Sequence, residues 1–278
     1  MIDLFHKVSQ QCSKITTEVY STSFASAIRL LHKNIRNPVY NIYGFVRFAD
    51  EIVDTFHEFE KEKLLRKFKE ETYNAIDHKV SLNPILHSFQ ITFHEYGIDR
   101  ELIEFFFESM EMDLTAWNYD QARYKKYIYG SAEVVGLMCL HVFCEGNKDI
   151  YYRLKPFAQS LGAAFQKVNF LRDIKADYHQ LKRSYFPDVD FGNFTESMKT
   201  KIINEIEYDF EHSYNGILQL PEKARFGVYV AYRYYLSLFK KIKQSHSSII
   251  ANKRIRISDY HKAMIVVYAG LKSRLKLI

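Results

Sequence analysis

Helix breakers are scarce in this chain. It has 10 glycines and 5 prolines in 278 residues, against an average combined share of about 12%. No segment alternates apolar and polar residues well enough to mark a strand. A sheet protein with many turns is therefore disfavoured, and an almost entirely helical one is expected. Cysteine is also rare. Cys12, Cys139 and Cys144 are odd in number and lack paired spacing, which argues against a disulfide framework and for free buried thiols in a reduced, intracellular protein. His141 stands between two of these cysteines without a further ligand set, so it reads as a core histidine rather than a zinc ligand. The start MIDLFHKVSQQCSK has no apolar core of signal-peptide length. The late run MIVVYAGL (264–271) falls far short of the roughly 20 residues that span a bilayer. A soluble, cytoplasmic protein is expected, with peripheral contact at the inner membrane face through the basic tail LKSRLKLI left open. The formal charge of +6 is modest and no Lys/Arg block marks a nucleic-acid arm.

Apolar material, by contrast, is plentiful: 47% hydrophobic residues, with 21 Tyr and 22 Phe. No Gly/Ser/Pro-rich linker interrupts the chain, so a single domain over 1–278 is expected. Helical spacing predicts helices near 2–18, 22–33, 38–57, 60–77, 84–95, 100–117, 124–144, 150–179, 196–218, 222–250 and 257–275. Pro38, Pro84 and Pro221 follow short breaks, where a first helical turn accepts proline. The stretch RSYFPDVDFGNF (183–194) is the longest irregular segment.

Two Asp-x-x-x-Asp helices carry the chemistry. RFADEIVD (47–54) and FLRDIKAD (170–177) each stack two aspartates one turn apart, a placement that costs about 0.2–0.5 kcal/mol unless a cation sits between them. In the first helix Phe45, Phe48, Ala49, Ile52, Val53 and Phe56 form an apolar arc. Tyr43, Arg47, Asp50 and Asp54 cluster within about 60° opposite it. Alone, that is how a water-facing stripe looks. The second helix differs, because Gly162, Gln166, Asn169, Asp173 and Asp177 form a strip about 80° wide on a helix apolar nearly all round. Phe165 and Phe170 flank that strip. Buried carboxylates need cations or a polar cavity. Oxygen donors without a His/Cys set suit Mg²⁺ or Mn²⁺, which usually take one or two carboxylates plus waters and substrate phosphates. Two such pairs on facing helices would hold ions, and the ions a diphosphate.

The segment LGAAFQKVNFLRDIKADYHQLKRSYFP (161–187) resembles the long signature of the head-to-head trans-prenyl synthases, the squalene and phytoene synthase family. YGFVRFADEIVD (43–54) and YSTSF (20–24) are similar to that family's first aspartate motif and its N-terminal diphosphate-contacting segment. YIYGSAEVVGLMCLHV (127–142) resembles a further signature, with departures at Ile128 and Glu133, where small residues are more usual. Glu133 is expected near the tunnel wall. The resemblance covers about residues 5–190 and is nearest to bacterial phytoene synthases.

That resemblance implies an all-α isoprenoid synthase fold around a central hydrophobic cavity, and a transferase. Asp50, Asp54, Asn169, Asp173 and Asp177 would bind Mg²⁺ (or Mn²⁺), with Tyr43 and Arg47 in the catalytic group. Tyr20, Ser21, Ser23, Phe24 and Tyr127 would contact prenyl diphosphate substrates, together with Gln166, Asn169, Arg172, Arg183 and Tyr185. Phe24, Phe45, Phe165 and Phe170 are expected as dry walls. The implied reaction joins two geranylgeranyl diphosphates through a cyclopropyl diphosphate to phytoene, without NADPH. No glycine-rich dinucleotide fingerprint occurs. The alternatives are a squalene or dehydrosqualene synthase using farnesyl diphosphate, a silent assembly factor, and an unrelated Mg²⁺-dependent phosphohydrolase.

Overall fold

The computed structural model describes residues 2–115, 119–179, 185–187, 189 and 194–275, without the side chains of 176–179. Thirteen helices are seen and no strand among the described residues: α1 (Ile2–Tyr20), α2 (Thr22–Arg29), α3 (Lys33–Asp54), α4 (Lys61–His78), α5 (Pro84–Tyr96), α6 (Arg100–Thr115) and α7 (Gln121–Ile128), then a π turn (Tyr129–Glu133), α8 (Val134–Cys144), α9 (Lys148–His179), α10 (Glu196–Gln219), α11 (Glu222–Gln244), α12 (Ser247–Asn252) and α13 (Asp259–Arg274). Short polar residues start many of them. Asn83 caps α5, its Oδ1 accepting from the Ile85 N–H at 3.0 Å, with Pro84 in the first turn. Asp120 caps α7 in the same way at 2.8 Å. Such caps satisfy amide groups that a helix start leaves without partners.

Three predicted boundaries move by four residues or more. The helix placed at 38–57 starts at Lys33, with the His32 ring accepting from Asn34 N–H, so Pro38 lies inside it. It is tolerated there because the one carbonyl it leaves unpaired, that of Asn34, belongs to the first turn. The helix placed at 22–33 ends at Arg29. The helix placed at 222–250 breaks at Ser245, which is extended, and resumes as α12 behind a His246 cap.

Two apolar clusters fill the bundle. One gathers α3–α6 and α8 around Phe45, whose ring stacks 4.0 Å from Phe89. The other gathers α7 and α9–α11 around Phe170, Phe210 and Tyr229. A cavity runs between them. Among the described residues one run, Gln121–Cys144, is long and apolar enough to cross a membrane by length and composition. The π turn interrupts it, half of it is buried, and it packs against α6, α9 and α3.

Candidate active site

The cavity has a volume of about 510 Å³. Along α9 it is lined from Leu154 to Arg172, which at 1.5 Å per residue is about 27 Å. Its body is apolar, with Leu31, Val39, Phe143, Phe157, Ile217 and Leu220 on the walls. Its mouth is polar, where Tyr20, Tyr43, Arg47, Asp50, Arg172 and Arg254 meet. An aromatic collar divides the two parts. Tyr235 stacks on Phe165 at 3.9 Å, and Phe24 lies 5.7 Å from Tyr235 and 5.9 Å from Tyr43.

On the α3 side the Arg47 guanidinium lies 4.4 Å over the Tyr20 ring and donates to Glu51. Its buried Nε has no hydrogen-bond partner among the described residues. Asp50 is pushed up to about 8, first by burial and then by the Asp54 carboxylate, with Asp113 and Glu51 adding to it against the pull of Arg47. Burial pushes Tyr43 up to about 12. A buried carboxylate that holds its proton so far above the usual range is short of positive charge.

On the α9 side Gln166 Nε2 donates to Ser131 Oγ of the π turn at 3.3 Å. Asn169 Oδ1 accepts from the Tyr235 hydroxyl at 3.3 Å. Asp173 is held between two guanidiniums, Arg172 at 2.6 Å and Arg254 at 2.8 Å. The two sides meet across the mouth. Tyr43 feels the charge of Asp50, Tyr235 feels Arg172 and Asp173, and Phe24 lies between the two tyrosine rings. The water-facing alternative for the first aspartate stripe therefore fails for Tyr43, Arg47 and Asp50, which line a shared cleft, whereas Asp54, half-buried one turn further on, is not on its wall.

Nine of the site residues expected from sequence line the cavity: Tyr20, Ser21, Phe24, Tyr43, Arg47 and Asp50 from the N-terminal helices, and Gln166, Asn169 and Arg172 from α9. Ser21 has a structural task as well, capping α2 through the Phe24 N–H at 3.2 Å. Ser23 does not line the cavity. Tyr127 and Tyr185 are interior instead, their hydroxyls donating to Asp113 at 2.7 and 3.4 Å. Of the four expected wall phenylalanines, Phe24 and Phe165 are on the walls, whereas Phe45 and Phe170 are core. Phe170 stacks on Tyr185 at 4.1 Å. Phe48, at the edge of its arc, is exposed. Glu133 turns away from the cavity, accepting from Gln159 Nε2 at 2.8 Å on the side of α9 that carries Lys167, so it does not shape the tunnel. The Asp177 side chain and Arg183 lie outside the described residues. All three cysteines are free. Cys139 lines the cavity, and burial pushes its thiol up to about 12, which leaves it unreactive. His141 packs against Tyr151 in the core, with Asp99 3.4 Å away.

Two mouth residues and one interior acid whose charge reaches Asp50 escaped the pattern. Asp113 had a signal, being the lone acid on the buried face of α6 after Phe106 and Met110. Tyr235 was one tyrosine among many on α11, and Arg254 sits in a loop that carries no periodicity.

As a metal site the residues are incomplete by themselves. Among the described residues no three His, Cys, Asp or Glu side chains gather around one point. The donors are nevertheless hard oxygens, and Asp50 with its carboxylate neighbours lacks compensating charge. That set fits Mg²⁺ ions that arrive with a diphosphate and complete their shells with its oxygens and water.

A helical bundle around such a cavity is the isoprenoid synthase fold. The chain superposes on a dehydrosqualene synthase solved in complex with a ligand, with a TM-score of 0.83 at 23% identity, covering 98% of each chain. In sequence it is 24% identical over 293 residues to the 4,4'-diapophytoene synthase of Staphylococcus haemolyticus, covering 96% of this chain and 97% of that one. It is 25% identical over 289 residues to the phytoene synthase of Arthrospira platensis, covering 95% and 92%. The squalene/phytoene synthase family model matches residues 17–261. The chain belongs to the squalene/phytoene synthase family.

Proposed function

We propose that the chain, acting as one domain over 1–278 in the cytoplasm, is a prenyltransferase that joins two geranylgeranyl diphosphates head to head to give phytoene. The observation that carries this reading is the pairing of a carboxylate- and guanidinium-lined mouth with a long apolar cavity. A C20 prenyl chain has about 15 backbone bonds, roughly 17 Å when extended, and the length of the cavity along α9 supports a chain of that size.

In this reading Asp50, Asp54, Asn169, Asp173 and Asp177 would hold Mg²⁺ for the substrate diphosphates. When bound, the ions supply Lewis-acid pull on the leaving diphosphate. Arg47 brings an undonated Nε–H to the mouth, and Arg172 and Arg254 sit opposite. Their planar forks suit phosphate oxygens. The bond from C1 to oxygen breaks, and the electron pair leaves with the diphosphate. The allylic cation left behind is attacked by the double bond of the second molecule, and loss of a proton closes the cyclopropane. The second diphosphate then ionises, the skeleton rearranges, and a last proton loss gives the hydrocarbon. Phe24, Phe165 and Tyr235 line the cavity, where their rings would stabilise these cations. The same collar keeps water from capturing them.

A second reading, with two C15 donors and a C30 product, is supported by the names of the relatives above. Incubating the protein with Mg²⁺ and either geranylgeranyl or farnesyl diphosphate, with and without NADPH, tests both. A C40 hydrocarbon formed without reductant is expected. A C30 product alone moves the assignment to the second reading. Diphosphate release without a condensed product, or no turnover with an Asp173→Asn variant indistinguishable from the parent, overturns the synthase reading.

A further inference from the structure

The first helix is built inside out, and α13 leaves most of its apolar side chains outside. On α1 the buried positions are Ser9, Ser13 and Thr17, each fully enclosed, with Ser13 Oγ 2.7 Å from Ser88 Oγ of α5. The apolar side chains face outward, Leu4 67%, Val8 48%, Ile15 57% and Val19 74% exposed. These four project within about 60° of one another on a helix. On α13, Ile265 and Ala269 pack inward while Tyr260, Met264, Val267, Tyr268, Leu271 and Leu275 form an exposed stripe, from 47% at Tyr268 to 77% at Tyr260. That stripe is about 100° wide. Isolated exposed apolar residues are ordinary, but aligned rows of them on two helices mark a surface that something covers.

One end of each row comes near the cavity mouth. Lys262 Nζ of α13 donates to Thr22 Oγ1 at 3.1 Å, so the start of α13 lies beside the junction that follows α1. Val19 immediately precedes the mouth residues Tyr20 and Ser21. The C-terminal segment that contains α13 also carries the net charge. From Lys253 onward the chain has seven of its 39 bases and one of its 33 acids, so that segment alone accounts for the net +6 and the residues before it balance to zero. On the α13 projection Arg274 falls on one edge of the apolar stripe and Lys272 on the other, the arrangement that lets basic heads reach an anionic surface while an apolar face dips below it.

We infer that this face docks on an anionic lipid bilayer, with α1 and α13 lying in the headgroup layer and the cavity mouth held at the membrane surface. A second copy of the chain is the less suited occupant, because each copy would bring the same excess of positive charge to the contact. The inference rests on the surface alone and stands or falls independently of the reaction.

Vesicle flotation tests it. The full chain is expected to float with phosphatidylglycerol/phosphatidylcholine vesicles and not with phosphatidylcholine alone, and to be released by salt as screening grows. The double variant Val267→Asp/Leu271→Asp alters two exposed side chains. It is expected to bind about tenfold more weakly or worse, with an unchanged circular dichroism spectrum and unchanged turnover of detergent-dispersed substrate. Leu4→Asp/Val8→Asp repeats the test on α1. Failure of the parent to float with anionic vesicles at low salt overturns the inference. So does equal flotation of parent and both variants. Light scattering that shows a parent dimer becoming monomeric in the variants assigns the face to a second copy and overturns it as well.

Discussion

Replacing Gly162 with alanine sets two effects of known sign against each other. Gly162 lies inside α9, where alanine is favoured over glycine by about 1 kcal/mol. It also faces the π turn so closely that an added Cβ would stand 2.7 Å from the Ala132 carbonyl oxygen and 3.0 Å from Ala132 C and Glu133 Cα. All three are backbone atoms, so no side chain can swing aside, and ordinary contact requires a retreat of about 0.7 Å. Overpacking of this kind costs about 1–3 kcal/mol, which outweighs the helical gain. The net loss of up to about 2 kcal/mol lowers the melting temperature by up to about 8 °C for a chain of this size. Activity should fall further than stability. The retreat moves Gln166 off Ser131, now 3.3 Å away, and displaces the face that carries Asn169 and Asp173. A misplacement near 1 Å is worth about 100-fold in rate. Gly270→Ala is the control, since nothing lies within 4 Å of its added Cβ and it should stabilise the protein slightly. Differential scanning fluorimetry and initial rates of diphosphate release measure both quantities. If Gly162→Ala melts higher than the parent and turns over at the same rate, the close approach of α9 to the π turn does not position the site.

Other outcomes follow from the same physics. Asp50 holds its proton up to about 8 in the folded, metal-free chain but only to about 4 when unfolded, so it subtracts stability as pH rises through that interval and no more above it. Asp50→Asn should therefore melt higher than the parent at pH 8 without metal, match it near pH 4, and lose turnover at every pH; equal melting at pH 8 refutes the crowding of carboxylates at the mouth. Lys167 is buried against Asp209, at 2.7 Å, and Glu205. Lys167→Met should cost about 3–5 kcal/mol by stranding the buried carboxylate, and Asp209→Asn in the same chain should recover part of it in urea titrations. At Gly216 an added Cβ would lie 2.2 Å from Phe157 Cβ, so Gly216→Ala must drive that ring along or into the cavity. Competition assays should show turnover of a C20 donor falling more than that of a C15 donor.

Much of this was legible in the amino-acid order because helices announce themselves locally. Scarce glycine and proline, caps such as Asn83 and Asp120, and the 3.6-residue period placed most elements within a few residues. The strip from Gly162 to Asp173 was readable because polar residues on an otherwise apolar helix have few explanations. What failed was direction at the edge of an arc and contact at a distance. Phe48 and Phe45 are three residues apart on one helix, yet one is exposed and the other is fully enclosed. Tyr127 and Tyr185 point to Asp113 rather than to the cavity, and no local pattern announces a partner 14 or 72 residues away. Arg254 reaches Asp173 across 81 residues from an irregular segment, where periodicity says nothing.

The central claim is that two acidic helices share divalent ions through one diphosphate. Crystals grown with Mn²⁺ and a thiolo analogue of geranylgeranyl diphosphate, measured for anomalous scattering, test it directly. The account predicts Mn²⁺ peaks within coordination distance of Asp50 or Asp54 on one side and of Asp173 or Asp177 on the other, bridged by the same diphosphate. A diphosphate held by the arginines with no metal beside these carboxylates, or Mn²⁺ bound elsewhere, contradicts it.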